Sequence, residues 1–364
     1  EQGWVLIDQA KEKQPEEAMA RKSLPEGRSP DAVLADARKL LQSAPATVED
    51  PRKALIVEEL ARAISQIDLR NARLDGKIVL ATGPDGGTYR SFGRALHQYA
   101  QTLGVPLYSA GSRGSVENAV FLKRGAVDFA LMQSDVAQQL YQGMTQEGLL
   151  PYPDLRAVAS LWPEAVHLLT LRGSGIESLE DLRGRRVAIG ERGSGSRVNA
   201  RAIGSAAALQ VGDFAELKEY NLANAIRALE AGDVDALFLT EAVPAPAVQA
   251  LAARREDLKF VPLPGSLLQQ LAADQFSYYP LEVAARSYPG QVKPFRTLGL
   301  AAALVSSASV SDATVAKLLD LLMTGSDALA SNEYRAAFIS RKTMRLGLAL
   351  PLHPGAERYY DNYD

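Results

Sequence analysis

Lys77–Tyr99 reads KIVLATGPDGGTYRSFGRALHQY. A short apolar run (Ile78, Val79, Leu80) ends in a glycine-rich turn (Gly83, Gly86, Gly87). A helical pattern then opens at Thr88, with Tyr89, Phe92, Ala95, Leu96 and Tyr99 on one side. The stretch predicts strand, loop, helix. At such a junction the first helical amides lack partners within the helix and the peptide dipoles place partial positive charge there, so an anion or carbonyl can dock. Gly87 permits close approach, and Thr88 and Tyr89 add hydroxyls. Capping for Thr88 and core packing for Tyr89 are the plainer explanations.

Arg186–Ile203, RVAIGERGSGSRVNARAI, repeats the plan, with Val187, Ala188 and Ile189 as the apolar run and a helix opening near Ser196. A second pair of segments also repeats. NAVFLKRGAVDFALMQSDV from Asn118 and NAIRALEAGDVDALFLTEAV from Asn224 share an amphipathic helix, a glycine stop, Val-Asp, a buried strand and a polar tip. Two similar units in one chain predict an α/β, two-lobed molecule. In open parallel sheets ligands sit outside the carboxyl ends of the strands, so facing units make a cleft with polar loops on both walls.

Composition narrows the function. The 364 residues suffice for two α/β domains plus an appendage, and 40 Lys and Arg against 43 Asp and Glu leave a net charge of −3, no field for drawing in nucleic acid. The absence of cysteine excludes thiolate catalysis and disulfides. No apolar run reaches the roughly 20 residues a bilayer span needs. The chain opens at Glu1, and a removed secretory signal is compatible with that start.

Along the chain, residues 1–76 read as a helical extension with helices starting at Ser29-Pro30 and at Pro51, either packed on the body or serving as a docking arm. Residues 77–171 and 266–364 are assigned to lobe 1 and 172–265 to lobe 2. Leu155–Leu161 and Ala165–Leu171 read as apolar runs, separated by Trp162 and Pro163, that carry the chain across. Phe295–Val305 carries it back, a helix is expected over 332–339, and the closing PLHPGAERYYDNYD reads as too rich in turn formers for a simple helix.

The candidate site residues follow from these loops. Gln133, Ser134 and Asp135 come after a buried strand, with Asp135 read as a helix cap. Ser115 and Asn118 open a helix, and ligand contact and local bonding fit them equally. Ser194, Gly195 and Ser196 form an anion nest, which a tight turn alone also explains. Arg113 and Arg192 are read as one guanidinium fork from each lobe for a carboxylate, although a solvated surface position explains either one alone. Glu241 suits an ammonium group or one of those arginines. His97, His167 and His353 are scattered without HExxH spacing, so neither metal nor cofactor is expected.

ATGPDGGTYR, GSVEN at Gly114–Asn118, QSD at Gln133–Asp135, SLEDLRGRRVAIGERGSGSR, VPAPAV at Val243–Val248 and the terminal LHPGA resemble the TAXI family of extracytoplasmic solute-binding receptors. The likeness runs from Lys77 to the C-terminus. It implies a type II periplasmic binding fold, hinge closure on a small organic acid or amino acid, a glutamate-like or dicarboxylate-like ligand, delivery to TRAP transporter membrane subunits, and a periplasmic or extracytoplasmic home. The chain departs from the family pattern at Asp85, Arg90, Arg113, Glu191 and Arg192, which replace small or neutral residues, and at Ala242, where members usually carry glycine and which Glu241 precedes here. These departures open the ligand to difference. A non-enzymatic, monomeric receptor is expected, with a membrane anchor outside the chain left open. The alternatives are a sensor that signals through the N-terminal arm, and an enzyme on the same scaffold, which would need a poised acid, base or metal. The reading requires glycine turns that face each other and a sheet divided between the lobes.

Overall fold

The computed structural model describes residues 29–44, 51–144, 150–330 and 333–362, and residues 1–28 of the expected arm lie outside them. The chain forms two compact units, Glu1–Ile67 and Asp68–Asp364. The first holds α1 (Pro30–Ser43) and most of α2 (Pro51–Leu74). Both start where expected: Pro30 is the first residue of α1, Ser29 Oγ accepts from the Ala32 amide at 3.2 Å, and Pro51 opens α2. No residue of α1 is buried.

The second unit begins on the last turns of α2 and continues through β1 (Ile78–Ala81), α3 (Thr88–Thr102), β2 (Leu107–Ala110), α4 (Ser115–Lys123), β3 (Phe129–Gln133), α5 (Ser134–Gln142) and β4 (Leu155–Leu171). There follow β5 (Arg186–Ala188), α6 (Gly195–Ala206), β6 (Glu216–Lys218), α7 (Leu222–Ala231), β7 (Ala236–Ala242), α8 (Pro246–Arg254) and β8 (Leu258–Phe260). The chain closes with α9 (Gly265–Asp274), β9 (Tyr279–Val283), β10 (Phe295–Ser307), α10 (Asp312–Ala330) and α11 (Pro354–Asp361). No described helix is long and apolar enough to cross a membrane.

The internal repeat is real in three dimensions. β1 lies between β2 and β3, and β5 lies between β6 and β7, all parallel. The duplicated Val-Asp has a physical cause: Asp128 Oδ2 accepts from the Val79 amide at 2.8 Å, and Asp235 Oδ2 accepts from the Arg186 amide at 2.8 Å. Each aspartate thus ties the start of one strand to its neighbour. The glycine stops are equivalent too, since Gly125 and Gly232 take φ of 63° and 76°, which end α4 and α7 at little steric cost.

The strands run in the order β2-β1-β3-β10-β4-β7-β5-β6, with β9 beside β10 and β8 beside β4. This is one hydrogen-bonded path, not the divided sheet expected from sequence. The reason lies in two long strands. The runs on either side of Trp162 and Pro163 are a single 17-residue strand, β4, antiparallel to the 13-residue β10. Ala302–Ser306 of β10 pairs with β3, while Phe295–Gly299 pairs with β9; Glu164–Thr170 of β4 pairs with β7. Each long strand therefore belongs to one wing at one end and to the other wing at its other end. Register shifts between Ala302 and Ala303, and between Leu304 and Val305, lie beside the crossing, and exposed Pro163, which has no amide to donate, stands opposite Ala301.

Period-two alternation divides the cores. Leu80, Phe129 and Leu131 face one side of the first wing, and Val79, Ala130 and Met132 face the other. Val187, Ala236 and Phe238 in the second wing alternate in the same way with Ala188, Leu237 and Leu239. Tyr278, Val283, Tyr288 and Phe295, which sequence reading put in lobe 1, pack in the second wing's cores. The C-terminal segment also differs from expectation. Pro354 at the first turn and His353, whose Nδ1 accepts from the Gly355 amide at 3.0 Å, start a regular helix. Of the helix expected over 332–339, the described residues form only a 3-10 turn at Tyr334–Phe338.

Trp162, 2% exposed, packs edge-on to Phe92 with ring centroids 4.8 Å apart, just where β4 leaves the first wing. Truncation to alanine leaves a cavity the crossing strands cannot fill, so Trp162→Ala is expected to lower unfolding free energy by about 3–5 kcal/mol. Urea denaturation reads this directly, and a loss below about 1 kcal/mol would remove Trp162 from the packing of the crossing.

Candidate functional site

The two sets of glycine turns face each other across the wings. The amides of Val116 and Glu117, at the N-terminus of α4, donate to the carbonyl of Gly193 at 3.1 and 3.2 Å. Gly114 lies against the Ser194–Gly195 backbone with φ of 122°, a conformation open to glycine and rarely to other residues. Between the wings is a cavity of about 60 Å³, room for a few water-sized groups, lined from one side by Pro84, Tyr89, Arg113, Ser115 and Gln133. Ser194, Gly195, Ser196, Thr240 and Glu241 line it from the other, and Glu164 of β4 lies at the junction.

The first helix mouth is occupied by the protein itself. Gly87 caps α3 without a side-chain bond, and Glu241 of the opposite wing supplies the missing acceptor: its Oε2 takes the Thr88 amide at 2.9 Å and the Thr88 hydroxyl as well. The anion expected at this helix is therefore a side chain, and Gly87 and Thr88 serve Glu241. Behind it, Arg335 donates to Thr88 Oγ1 at 3.1 Å and pairs with Glu333, which accepts from Ser91 Oγ at 2.8 Å.

The third mouth of the first wing is closed in a similar way. Asp135, in the first turn of α5, accepts from Asn199 Nδ2 at 2.6 Å and from the Tyr278 hydroxyl at 2.9 Å, both in the second wing. Asn199 Oδ1 in turn accepts from Thr240 Oγ1 at 2.8 Å. Asp135 thus bridges the wings, in place of the purely local capping read from sequence.

Several other candidates resolve into structural roles. Asn118 is buried and donates from Nδ2 to the carbonyls of Thr82 and Leu131, both at 2.6 Å. Ser134 Oγ accepts from the Ala301 amide at 3.0 Å, and Ser115 Oγ from the Gln133 amide at 3.0 Å, although Ser115 still lines the cavity. Arg192 does not reach the cavity: its side chain is 79% exposed and pairs with Glu219 at 2.6 Å. The two-arginine clamp is therefore reduced to Arg113, whose Nε lies 4.0 Å from Glu117. His167 is buried against the Tyr288 hydroxyl at 2.7 Å, and His97 Nδ1 lies 2.6 Å from the Leu107 carbonyl.

Sequence reading missed Glu164, Asn199 and Tyr278. Glu164 is 1% exposed, with the Tyr89 hydroxyl donating to its Oε2 at 3.0 Å. A glutamate inside the apolar run LWPEAV is itself a signal, since a carboxyl is seldom fully buried without a task. Burial, and then the charge of Glu241, push the Glu164 carboxyl well above its usual range; burial raises Glu241 too, against the hydrogen bonds from Thr88.

Residues 80–362 match the model of the NMT1-like family, and the chain belongs to that family. Among solved structures it is similar to MatC from Rhodopseudomonas palustris with bound malate, at 16% identity over 79% of this chain and 99% of that one, TM-score 0.53. That likeness concerns the fold. A Bordetella bronchiseptica RB50 protein matches at 14% identity over 79% and 98% of the two chains, TM-score 0.49. The periplasmic aliphatic sulphonate binding protein SsuA from Escherichia coli matches at 18% identity over 78% and 82%, TM-score 0.43.

Burial lifts the Asp135 carboxyl from 3.8 to about 6, against the pull of its bonds from Tyr278, the Val136 amide and Asn199. A carboxyl raised on folding adds stability in full below its unfolded value, and that contribution is lost as pH rises through the folded one. From pH 4 to 7.5 this group should cost the fold about 2 kcal/mol. Asp135→Asn is expected to flatten the stability–pH curve by that amount in chemical denaturation, and an unaltered slope would contradict the assignment.

Proposed function

We propose that this member of the NMT1-like family is a solute-binding receptor whose two wings close on a small polar molecule in the cavity between them. The observation that carries the reading is the convergence of polar loops from both wings on one cavity, joined by hydrogen bonds that exist only while the wings touch. Contacts on both walls favour the closed population, so binding energy becomes a shape that a partner can recognise.

In this reading the lobes are the two wings, with residues 266–300 assigned to the second by their packing, and β4 and β10 form the hinge. The ligand is a short acid or amino acid whose carboxylate meets Arg113 and the N-terminus of α6, where Ser194, Gly195 and Ser196 line the cavity. The setting is extracytoplasmic, and the finer assignment, from the TAXI resemblance, is delivery to TRAP membrane subunits. The likeness of fold to MatC, solved with bound malate, supports a binding protein over an enzyme.

A thermal-shift and calorimetric screen of short acids and amino acids should find a compound that raises the melting temperature by ligand linkage. Gly195 tests the geometry, because a Cβ there would collide with the whole side-chain amide of buried Gln133. Gly195→Ala is expected to weaken that compound's binding by about 1–3 kcal/mol while leaving the fold intact. Unchanged affinity would place the ligand elsewhere.

A further inference from the structure

Among the described residues, three buried acceptors and one basic side chain line the cavity. Glu164 and Glu241 come from adjacent register positions of β4 and β7, where Glu164 pairs with Ala242 and Glu241 with Ala165. Gln133 joins them from the first wing. It is 4% exposed, it lines the same cavity, and its Oε1 accepts no hydrogen bond among the described residues. Leaving a buried amide oxygen without a donor is costly, and a ligand N–H removes that cost. Arg113 lines the same cavity, and Glu191 adds a third carboxylate to the lining.

We propose that Glu164, Glu241 and Gln133 form the subsite for a protonated nitrogen, so that the solute is an amino acid or other amine-bearing acid and not a dicarboxylate. The inference rests on the receptor reading above and names the ligand class of that same site. An ammonium group offers three N–H donors and no acceptor, matching two carboxyls and an amide oxygen, whereas a second carboxylate would find at most the pair's one proton and the Gln133 amide to bond, beside the remaining negative charge. The carboxylate end of the ligand then keeps Arg113 and the N-terminus of α6, where Ser194, Gly195 and Ser196 line the cavity.

The same geometry ties capture to a proton. Glu164 faces Glu241 on β7 and Asp135 on α5, which with burial disfavour its charge, and Tyr89 on α3, whose hydrogen bond favours it. Glu241 faces Thr88 on α3 and the Arg335–Glu333 pair, whose charges oppose one another. Burial and the nearness of the two carboxyls thus favour a shared proton on the pair in the solute-free protein. An incoming R–NH₃⁺ makes the carboxylate form favourable, and that proton leaves to solvent as the ion pair forms.

Matched acids that differ by one amine decide the matter on the full chain by isothermal titration calorimetry: L-glutamate against glutarate, 4-aminobutyrate against butyrate, and L-norvaline against valerate. Expected is that the amine-bearing member of a pair binds at least about tenfold more tightly. In buffers of different ionisation enthalpy its binding should release a proton, and affinity should rise with pH by up to about tenfold per unit. Glu164→Gln and Glu241→Gln should each weaken the amine-bearing probe at least about tenfold while sparing its desamino partner. Desamino partners that bind as well or better overturn the subsite and leave the receptor reading standing; no binding by any probe overturns both. Proton release is read on the unmodified protein, so the test does not depend on either variant folding.

Discussion

A carboxylate from one wing seated on the helix mouth of the other sets the terms for the rest of this molecule. Glu241 caps α3 through the Thr88 amide and hydroxyl, in surroundings dry enough to raise its own proton affinity. The contact satisfies amides that α3 cannot satisfy within itself, and it does so only while the wings are together. The Gly193 carbonyl does the same for the Val116 and Glu117 amides of α4, while Asp135 at the start of α5 reaches across to accept from Asn199 and Tyr278. The openings of α3, α4 and α5 thus all make contacts with the second wing.

That arrangement explains the shape of the sheet. If the wings are to part and meet without tearing a ladder, the connection between them must be narrow. Two long antiparallel strands meet that need, since each pairs with one wing's strands at one end and the other wing's at its other end. The shifts of register beside Pro163 lie where bending demands the least from the hydrogen bonds. Trp162, Phe92 and Tyr89 then brace the crossing on the first wing's side.

Much of this was legible in the chain, and what was legible was local. The strand–glycine turn–helix units announced themselves because their period, turn residues and caps sit within a few residues of each other, and the repeated Val-Asp proved to be a strand-tying bond. What was not legible depended on residues far apart in the chain. Glu164 meets Tyr89 across 75 positions and Thr88 meets Glu241 across 153, and no local pattern encodes such pairs. Arg192 looked like a ligand clamp from its place in a glycine loop, but Glu219, reached only through the fold, holds it at the surface. Conversely, Asn118 carried a motif yet spends its amide on two backbone carbonyls.

The central claim is that the wings close on a solute. Because the chain has no cysteine, one can be placed at exposed Lys123 on α4 and another at exposed Arg227 on α7, and spin labels attached there report the distance between wings. Pulsed electron resonance should show a broad distribution without solute that narrows to a single shorter distance when a stabilising acid from the screen is added. One unchanged distribution, with and without that compound, would contradict the account.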